Sequence, residues 1–288
     1  MNIKKLTLGA ADYPEELRNI PSPPKQLYCA GADLSELLKR PRVAIVGTRR
    51  MTAYGKMITL RLAQDLAEQG VVIISGLATG VDAVAHQAAL DAGGLCIAVL
   101  PSPLDNVVPI FNRRLGQAIL DQGGALVSEY APGIPPQKQY FIARNRLVSG
   151  LADAVLITEA GEKSGAIHTA NFALDQGRDV LVVPGNIHAA GSVGIHNLLK
   201  AGKAGAVTSY IDVINLLGLK DHSTPAPQVR GRNAYEQTVL DLMLQGISEG
   251  QILLEKSQLS ASEFGRVLTM LEIGGKIRPL GANHWAIM

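Results

Sequence analysis

Three short segments hold the residues best suited to chemistry, and each lies in the stretch after an apolar run. The first reads Val46-Gly47-Thr48-Arg49-Arg50. Glycine at a strand's carboxyl end permits a sharp turn and lets a ligand approach the amides. The helix amino terminus that follows favours an anion, and two arginines there can hold phosphates bidentately. A plain tight turn is the competing reading. The second segment reads Ser75-Gly76-Leu77-Ala78-Thr79-Gly80-Val81-Asp82. In the third, Lys163, Ser164 and the amides of Gly165 and Ala166 open another helix. A further loop follows at Pro184-Gly185-Asn186. Neither GxxxxGK[ST] nor GxGxxG occurs, so a Walker A loop and a dinucleotide fingerprint are both excluded. Several such loops on one sheet edge make a long polar rim, which suits a polymer of phosphates better than one nucleotide.

A fourth window, Lys138-Gln139-Tyr140-Phe141-Ile142-Ala143-Arg144-Asn145-Arg146, interleaves aromatics with cations. Aromatic rings give stacking platforms for unpaired bases, and arginine adds phosphate contacts. Against this, Phe141 can be a core residue and the arginines can serve a helix end. Asp82 and His86 stand four apart and share a helix face. They form either an acid/base pair or an Asp favourable to the helix dipole with a loop-fixing His. The second reading is preferred, because no nucleophile or metal ligand stands beside them. No catalytic residue, metal site or cofactor is expected.

The elements that position these segments follow from the hydrophobic pattern. Continuous apolar runs at 43–46, 71–74, 96–100, 125–127, 154–157 and 180–183, with a weaker one at 206–207, read as strands buried on both faces. Amphipathic stretches at 57–68, 81–91 and 166–176 lie between them. This alternation predicts an α/β fold, a parallel sheet flanked by helices, across 41–218. Residues 1–40 read as a Pro-rich amino-terminal arm packed on that core. Residues 219–231, with two prolines and no apolar periodicity, read as a linker. Within 232–288 three helices, one opened by the capping box Ser260-Ala261-Ser262-Glu263, precede a hairpin around 281–283, a small winged-helix-like domain.

Of the 288 residues, 47% are hydrophobic, enough for a sizeable core. The net charge is only +2, but its distribution is uneven. Arg40, Arg42, Arg49, Arg50, Lys56 and Arg61 follow one another without an intervening acid. A second acid-free window, 136–150, holds Lys138, Arg144 and Arg146. Such stretches serve polyanions or are simply solvated. Cys29 and Cys96 stand far apart in apolar surroundings, which suggests a reducing compartment and no disulfide. No apolar run of signal-peptide length follows Met1, and none reaches the length of a membrane span. A cytoplasmic location is expected.

The ordered set of motifs resembles the DprA/Smf family of DNA-processing proteins. It comprises Tyr13-Pro14, Pro23-Pro24 and Leu27-Tyr28, then VGTRRMTAYG at 46–55, SGLATGVDAVAH at 75–86 and SEY at 128–130. FIARNR at 141–146, KSGAIHTA at 163–170, PGN at 184–186 and GIHNLLKAG at 194–202 complete it. The resemblance implies an extended Rossmann-like fold and a homodimer. It implies single-stranded DNA binding in a basic pocket and loading of the recombinase RecA during natural transformation. Carried over residue by residue, it makes Arg49, with Arg50 beside it, the phosphate contact. It marks Lys138 and Phe141 as cation and aromatic, and Lys163 as the basic position before Ser164-Gly165. Arg144, Asn145 and Arg146 match the RNR signature, and Gly47, Thr48, Ser75 and Gly76 complete the expected DNA site. The sequence departs from the family at His168, where an aliphatic residue is common, and it shows a Pro-rich arm instead of the helical amino-terminal module of some members.

The region 232–288 resembles the family's carboxyl-terminal winged-helix domain, yet it carries five basic and six acidic residues. A duplex reader should be basic, so a protein contact or weak DNA element is expected there. Two other functions compete with a DNA-binding mediator. Nucleotide phosphoribohydrolases of the lysine-decarboxylase-like group share the Rossmann-like fold but carry PGGxGTxxE. The comparable stretch, EAGEKSGAIHTA at 159–170, lacks the paired glycines and the helix glutamate. A scaffold that binds no nucleic acid is the other.

Overall fold

The computed structural model describes residues 2–221, 231–281 and 283–287, which fall into two compact units. Most of the linker expected at 219–231 lies at 222–230, outside the described residues, as does Ala282 of the hairpin turn.

The larger unit runs β1 (Lys4–Thr7), α1 (Glu15–Arg18), β2 (Gln26–Gly31), α2 (Leu34–Leu37), β3 (Arg42–Val46), α3 (Ala53–Glu68), β4 (Val72–Ser75), α4 (Val81–Asp91) and β5 (Cys96–Leu100). It continues through α5 (Arg113–Asp121), β6 (Ala125–Ser128), α6 (Lys138–Leu151), β7 (Ala154–Ile157), α7 (Gly165–Asp175), β8 (Asp179–Val182), α8 (Val193–Lys200), β9 (Gly205–Ala206) and α9 (Tyr210–Leu216). One nine-stranded sheet, ordered β1-β2-β6-β5-β4-β3-β7-β8-β9, runs through it. All neighbours from β6 to β9 pair in parallel, as the continuous apolar runs predict.

Strand periodicity builds both layers. In β3, Val43 and Ile45 point into a cluster under α3, α4, α5 and α9, while Ala44 and Val46 point into one under α1, α6, α7 and α8. Each such fully buried Val or Ile side chain contributes roughly 1.5–3 kcal/mol. The amino-terminal arm is more than packing: β1 and β2 extend the sheet in antiparallel fashion, β2 pairing with β6. Prolines 21, 23 and 24 fall in the loop ahead of β2, where no strand hydrogen bond is required of them. The Tyr13 hydroxyl pins that loop by donating to the Pro24 carbonyl at 2.8 Å.

From β3 the chain steps outward through β4, β5 and β6, then returns past β3 to β7, β8 and β9. The strand order therefore reverses between β3 and β7. Open α/β sheets hold ligands beyond the strand carboxyl ends at such a point. The amino ends of α3, α4, α5 and α7 all face that edge.

The smaller unit holds α10 (Ala234–Leu244), α11 (Gly250–Ser257), α12 (Ala261–Ile273), β10 (Ile277–Gly281) and β11 (His284–Ile287). The Ser260–Glu263 capping box forms as its sequence predicts, and the two strands pair as a hairpin. Among the described residues no helix is long and apolar enough to cross a membrane. Cys29 and Cys96 are free and buried, and burial pushes both thiols up to about 12.

Candidate functional site

A cleft of about 420 Å³ opens at the strand-order reversal. Its walls come from the β3 loop (Gly47, Thr48, Arg49, Arg50), the β4 loop (Gly76, Ala78), α6 (Phe141, Arg144, Asn145) and the start of α7 (Ser164, Gly165). Twelve of the fourteen predicted binding residues can be placed by their relation to it: ten line it, and Lys138 and Lys163 stand exposed beside it in sequence. Ser75 and Arg146 are engaged elsewhere.

The β3 and β4 loops lie against each other because of two glycines. A β-carbon on Gly80, at φ +86°, would stand 2.3 Å from the Thr48 carbonyl oxygen and 2.7 Å from the Arg49 α-carbon. One on Gly47 would stand 2.6 Å from a Val81 methyl and 2.8 Å from the Glu159 carbonyl oxygen. The space Gly47 frees is thus filled by protein: this glycine serves close packing of α4 and β7, where the sequence suggests an approach for ligand.

Glu159 fastens the β3 loop. Its backbone carbonyl accepts from the Thr48 amide at 2.8 Å. Its carboxylate accepts from the Thr52 amide at 3.0 Å and the Thr52 hydroxyl at 2.8 Å, although the residue is only 5% exposed. The Thr52 hydroxyl in turn caps α3 by accepting from the Gly55 amide. The anion that the α3 amino terminus favours is therefore supplied by the chain itself. The amino end of α7 is different: its cap, Ser164, lines the cleft, and its first turn contains no acid.

The floor is made by Asp82 and Arg144. The Asp82 carboxylate accepts from the amides of Gly76 at 3.1 Å and Ala78 at 3.4 Å, holding the β4 loop. Burial raises its carboxyl, and the charge of nearby Arg144 opposes that shift. Arg144 is 4% exposed and donates to the carbonyls of Gly76 and Val99. Burial lowers it to about 10, with Asp82 pulling the other way. Arg144 therefore touches the cleft as a brace joining α6 to β4 and β5. Asn145 ties α6 to α7 by donating to the Gly165 carbonyl at 3.3 Å.

His86 does not line the cleft. It is fully enclosed, and burial holds its ring neutral, down to about 3. The loop-fixing role expected of His86 is met by Asp82, whose carboxylate accepts from two amides of the β4 loop.

Ser75 is also fully buried and donates to the Ile45 carbonyl at 2.6 Å, so it joins two strands. Arg146 turns to Glu129 and donates to both carboxylate oxygens, at 2.7 and 2.8 Å. Arg42, from the long basic run, is buried at the opposite strand end in ion pairs with Glu16 and Asp153. Arg61 pairs with Asp65 along α3.

Lining the cleft or beside it in sequence is a set of four exposed cations. Arg49, Arg50, Lys138 and Lys163 are exposed, and none forms an ion pair among the described residues. The Arg49 guanidinium sits over the Phe141 ring, 5.0 Å from its centroid. Tyr130 and Tyr140 stack at 3.9 Å, fixing the start of α6 against the β6 loop. The site thus combines exposed cations, a half-exposed aromatic ring and a helix end, capped by Ser164, whose first turn holds no acid.

Sequence reasoning missed Glu159 and Thr52 as the fasteners of the β3 loop. The Thr52-Ala53-Tyr54-Gly55 cap was a usable signal; the buried carboxylate that meets it comes from a distant strand and leaves no local spacing.

Residues 4–218 match the family described as DNA recombination-mediator protein A. Protein Smf of Escherichia coli is 41% identical over 217 residues, 75% of this chain and 57% of that protein. DNA processing protein DprA of Bacillus subtilis is 37% identical over 215 residues, 75% of this chain and 71% of that protein. The chain therefore matches little more than half the length of the first relative. The X-ray structure of DNA processing protein A from Streptococcus pneumoniae superposes with a TM-score of 0.69 at 39% identity, covering 76% of this chain and 75% of that one. DNA processing protein A from Helicobacter pylori, whose structure addresses a unique single-stranded DNA binding mode, gives 0.67 at 38% identity, covering 75% of this chain and 95% of that one.

Proposed function

The chain belongs to the DNA recombination-mediator protein A family, and from that premise we propose that the cleft binds single-stranded DNA. One observation carries the reading: Arg49 lies over Phe141 at a cleft, and Arg49, Arg50, Lys138 and Lys163 are exposed and form no ion pair among the described residues. Arg49, Arg50, Lys138 and Lys163 meet phosphates. Phe141 offers a face to an unpaired base, and the α7 amino end adds amides. Exchanging counterions for these side chains makes the binding sequence-tolerant and strongly salt-dependent. The floor supports binding without bond-breaking chemistry, because the Asp82 carboxylate is held by two loop amides and the His86 ring is enclosed.

In this reading the protein is a mediator and not an enzyme. It holds incoming single strands in the cytoplasm, works as a homodimer and passes the strand to RecA. The Helicobacter pylori relative's single-stranded DNA binding mode supports the choice of ligand. Oligonucleotide binding followed across a salt series tests it. The logarithm of affinity should fall with the logarithm of salt by about 0.7 per phosphate neutralised. A salt-independent affinity, or equal binding of Arg49→Glu and the parent, removes the assignment. RecA filament assembly on coated single strands, with and without the protein, tests the later step.

A further inference from the structure

We propose that the bound strand continues past the cleft onto the loop after β5, where Phe111 stacks a base and Arg113 and Arg114 take phosphates. This rests on the single-strand reading above and extends its track by one loop.

Four observations support it. Phe111 is 85% exposed and Ile110 is 70% exposed, side by side on one tight turn. Arg113 and Arg114 follow after Asn112, exposed, and neither forms an ion pair among the described residues. They open α5, whose first turn contains no acid, so two cations sit at the positive end of a helix dipole. That placement is unfavourable until an anion arrives. Beside the turn lies a groove of about 680 Å³ with an apolar floor of Leu104, Val107 and Leu126. Its rim also carries Asp105, whose carboxylate accepts from the Gly133 amide at 3.2 Å.

The turn is joined to the cleft. Asn112 donates from its side-chain amide to the Leu77 carbonyl at 2.9 Å, and the residues flanking Leu77, Gly76 and Ala78, line the cleft. Strands β4 and β5 are neighbours, about 4.8 Å apart. One polymer can therefore lie across both loops in successive nucleotides. An exposed aromatic flanked by unpaired arginines suits a base and its phosphates, and continuity with the cleft favours the same strand over a separate ligand.

Fluorescence anisotropy with oligothymidylates of two lengths tests this, one of roughly 5 nucleotides that fills the cleft and one of roughly 20 that reaches beyond it. Phe111→Ser and the double variant Arg113→Glu/Arg114→Glu are compared with Arg49→Glu. All alter exposed side chains, and unchanged thermal midpoints verify the fold. The two distal variants should weaken the long oligonucleotide about fivefold or more and leave the short one unchanged. The arginine pair should also lower the salt slope for the long one by about 1.4, two phosphates' worth. Arg49→Glu should weaken both lengths. Distal variants that bind the long oligonucleotide like the parent, while Arg49→Glu still weakens both lengths, overturn the extension and leave the cleft intact. The same holds if they instead lose a labelled acidic, phenylalanine-bearing peptide, which makes the groove a protein contact. Loss of short and long binding alike also overturns it, by placing Phe111 in the cleft site. If Arg49→Glu changes neither length, the cleft reading itself falls.

Discussion

Arg144 and Arg49 line the same cleft, and their surroundings give them opposite work. Arg144 belongs to the floor with Asp82: both are nearly fully buried, and each holds backbone groups of the β4 loop. Arg49 belongs to the rim with Arg50, Lys138 and Lys163, all exposed and free of ion pairs among the described residues. A buried guanidinium whose donors are taken by carbonyls sets geometry. An exposed one with no acid nearby is available to a phosphate. Composition is alike in both places, so the distinction lies in what the fold brings alongside.

Substitutions can break this contrast. The largest effect is expected at the floor: Arg144→Met should cost roughly 3 kcal/mol, because two buried carbonyls lose a charged donor. Urea unfolding measures it, and parental stability in that variant would show that the floor needs no brace. Next comes the acid limb of stability. Burial keeps the folded His86 ring neutral to about pH 3, whereas an unfolded ring protonates near 6.5. Its contribution is whole above about pH 6.5 and falls as pH drops, by up to ~1.4 kcal/mol per unit. Asp82, whose carboxyl burial raises, works in the opposite sense over part of that range. The decisive comparison is therefore His86→Leu against the parent, with a flatter acid limb expected in the variant.

At the rim, Arg49→Glu should lower single-strand affinity tenfold or more at low salt and reduce the salt slope by about 0.7. Its folding stability should shift by under roughly 0.5 kcal/mol. Phe141→Leu should cost about 1 kcal/mol of affinity, near fivefold, with the salt slope unchanged. The smallest effect sharpens the contrast most. Arg146→Ala should lose up to about 1 kcal/mol of stability with its Glu129 pair and bind oligonucleotides as the parent does. Weakened binding there would move Arg146 to the rim.

The sheet was legible because buried parallel strands write continuous apolar runs, and the capping box at Ser260 and Glu263 was legible because it is local. The two added strands were not. Residues 26–31 pair with β6, about a hundred residues on, and the prolines ahead of them suggested an arm. Within the site, the places of Arg49 and Phe141 on the cleft wall were readable from type and position, whereas Gly47, read as an approach for ligand, serves packing. Arg144 and Arg146 were not separable: both sit in an acid-free window, and their partners, the Gly76 carbonyl and Glu129, come from other strands. Ser75 was read as a ligand contact for the same reason.

The Glu159 carboxylate lies between two glycines that leave it room: a β-carbon on Gly55 would stand 1.8 Å from one oxygen, and one on Gly191 2.8 Å from the other. A helix end that many folds keep vacant for a soluble guest is here locked from within before any ligand arrives. The arginine-bearing turn is consequently anchored on both sides, at Thr48 and at Thr52, while its two guanidinium groups stay exposed to attract a polyanion from a distance. The negative charge that this helix end favours is thus built into the chain, one strand away from where it is used.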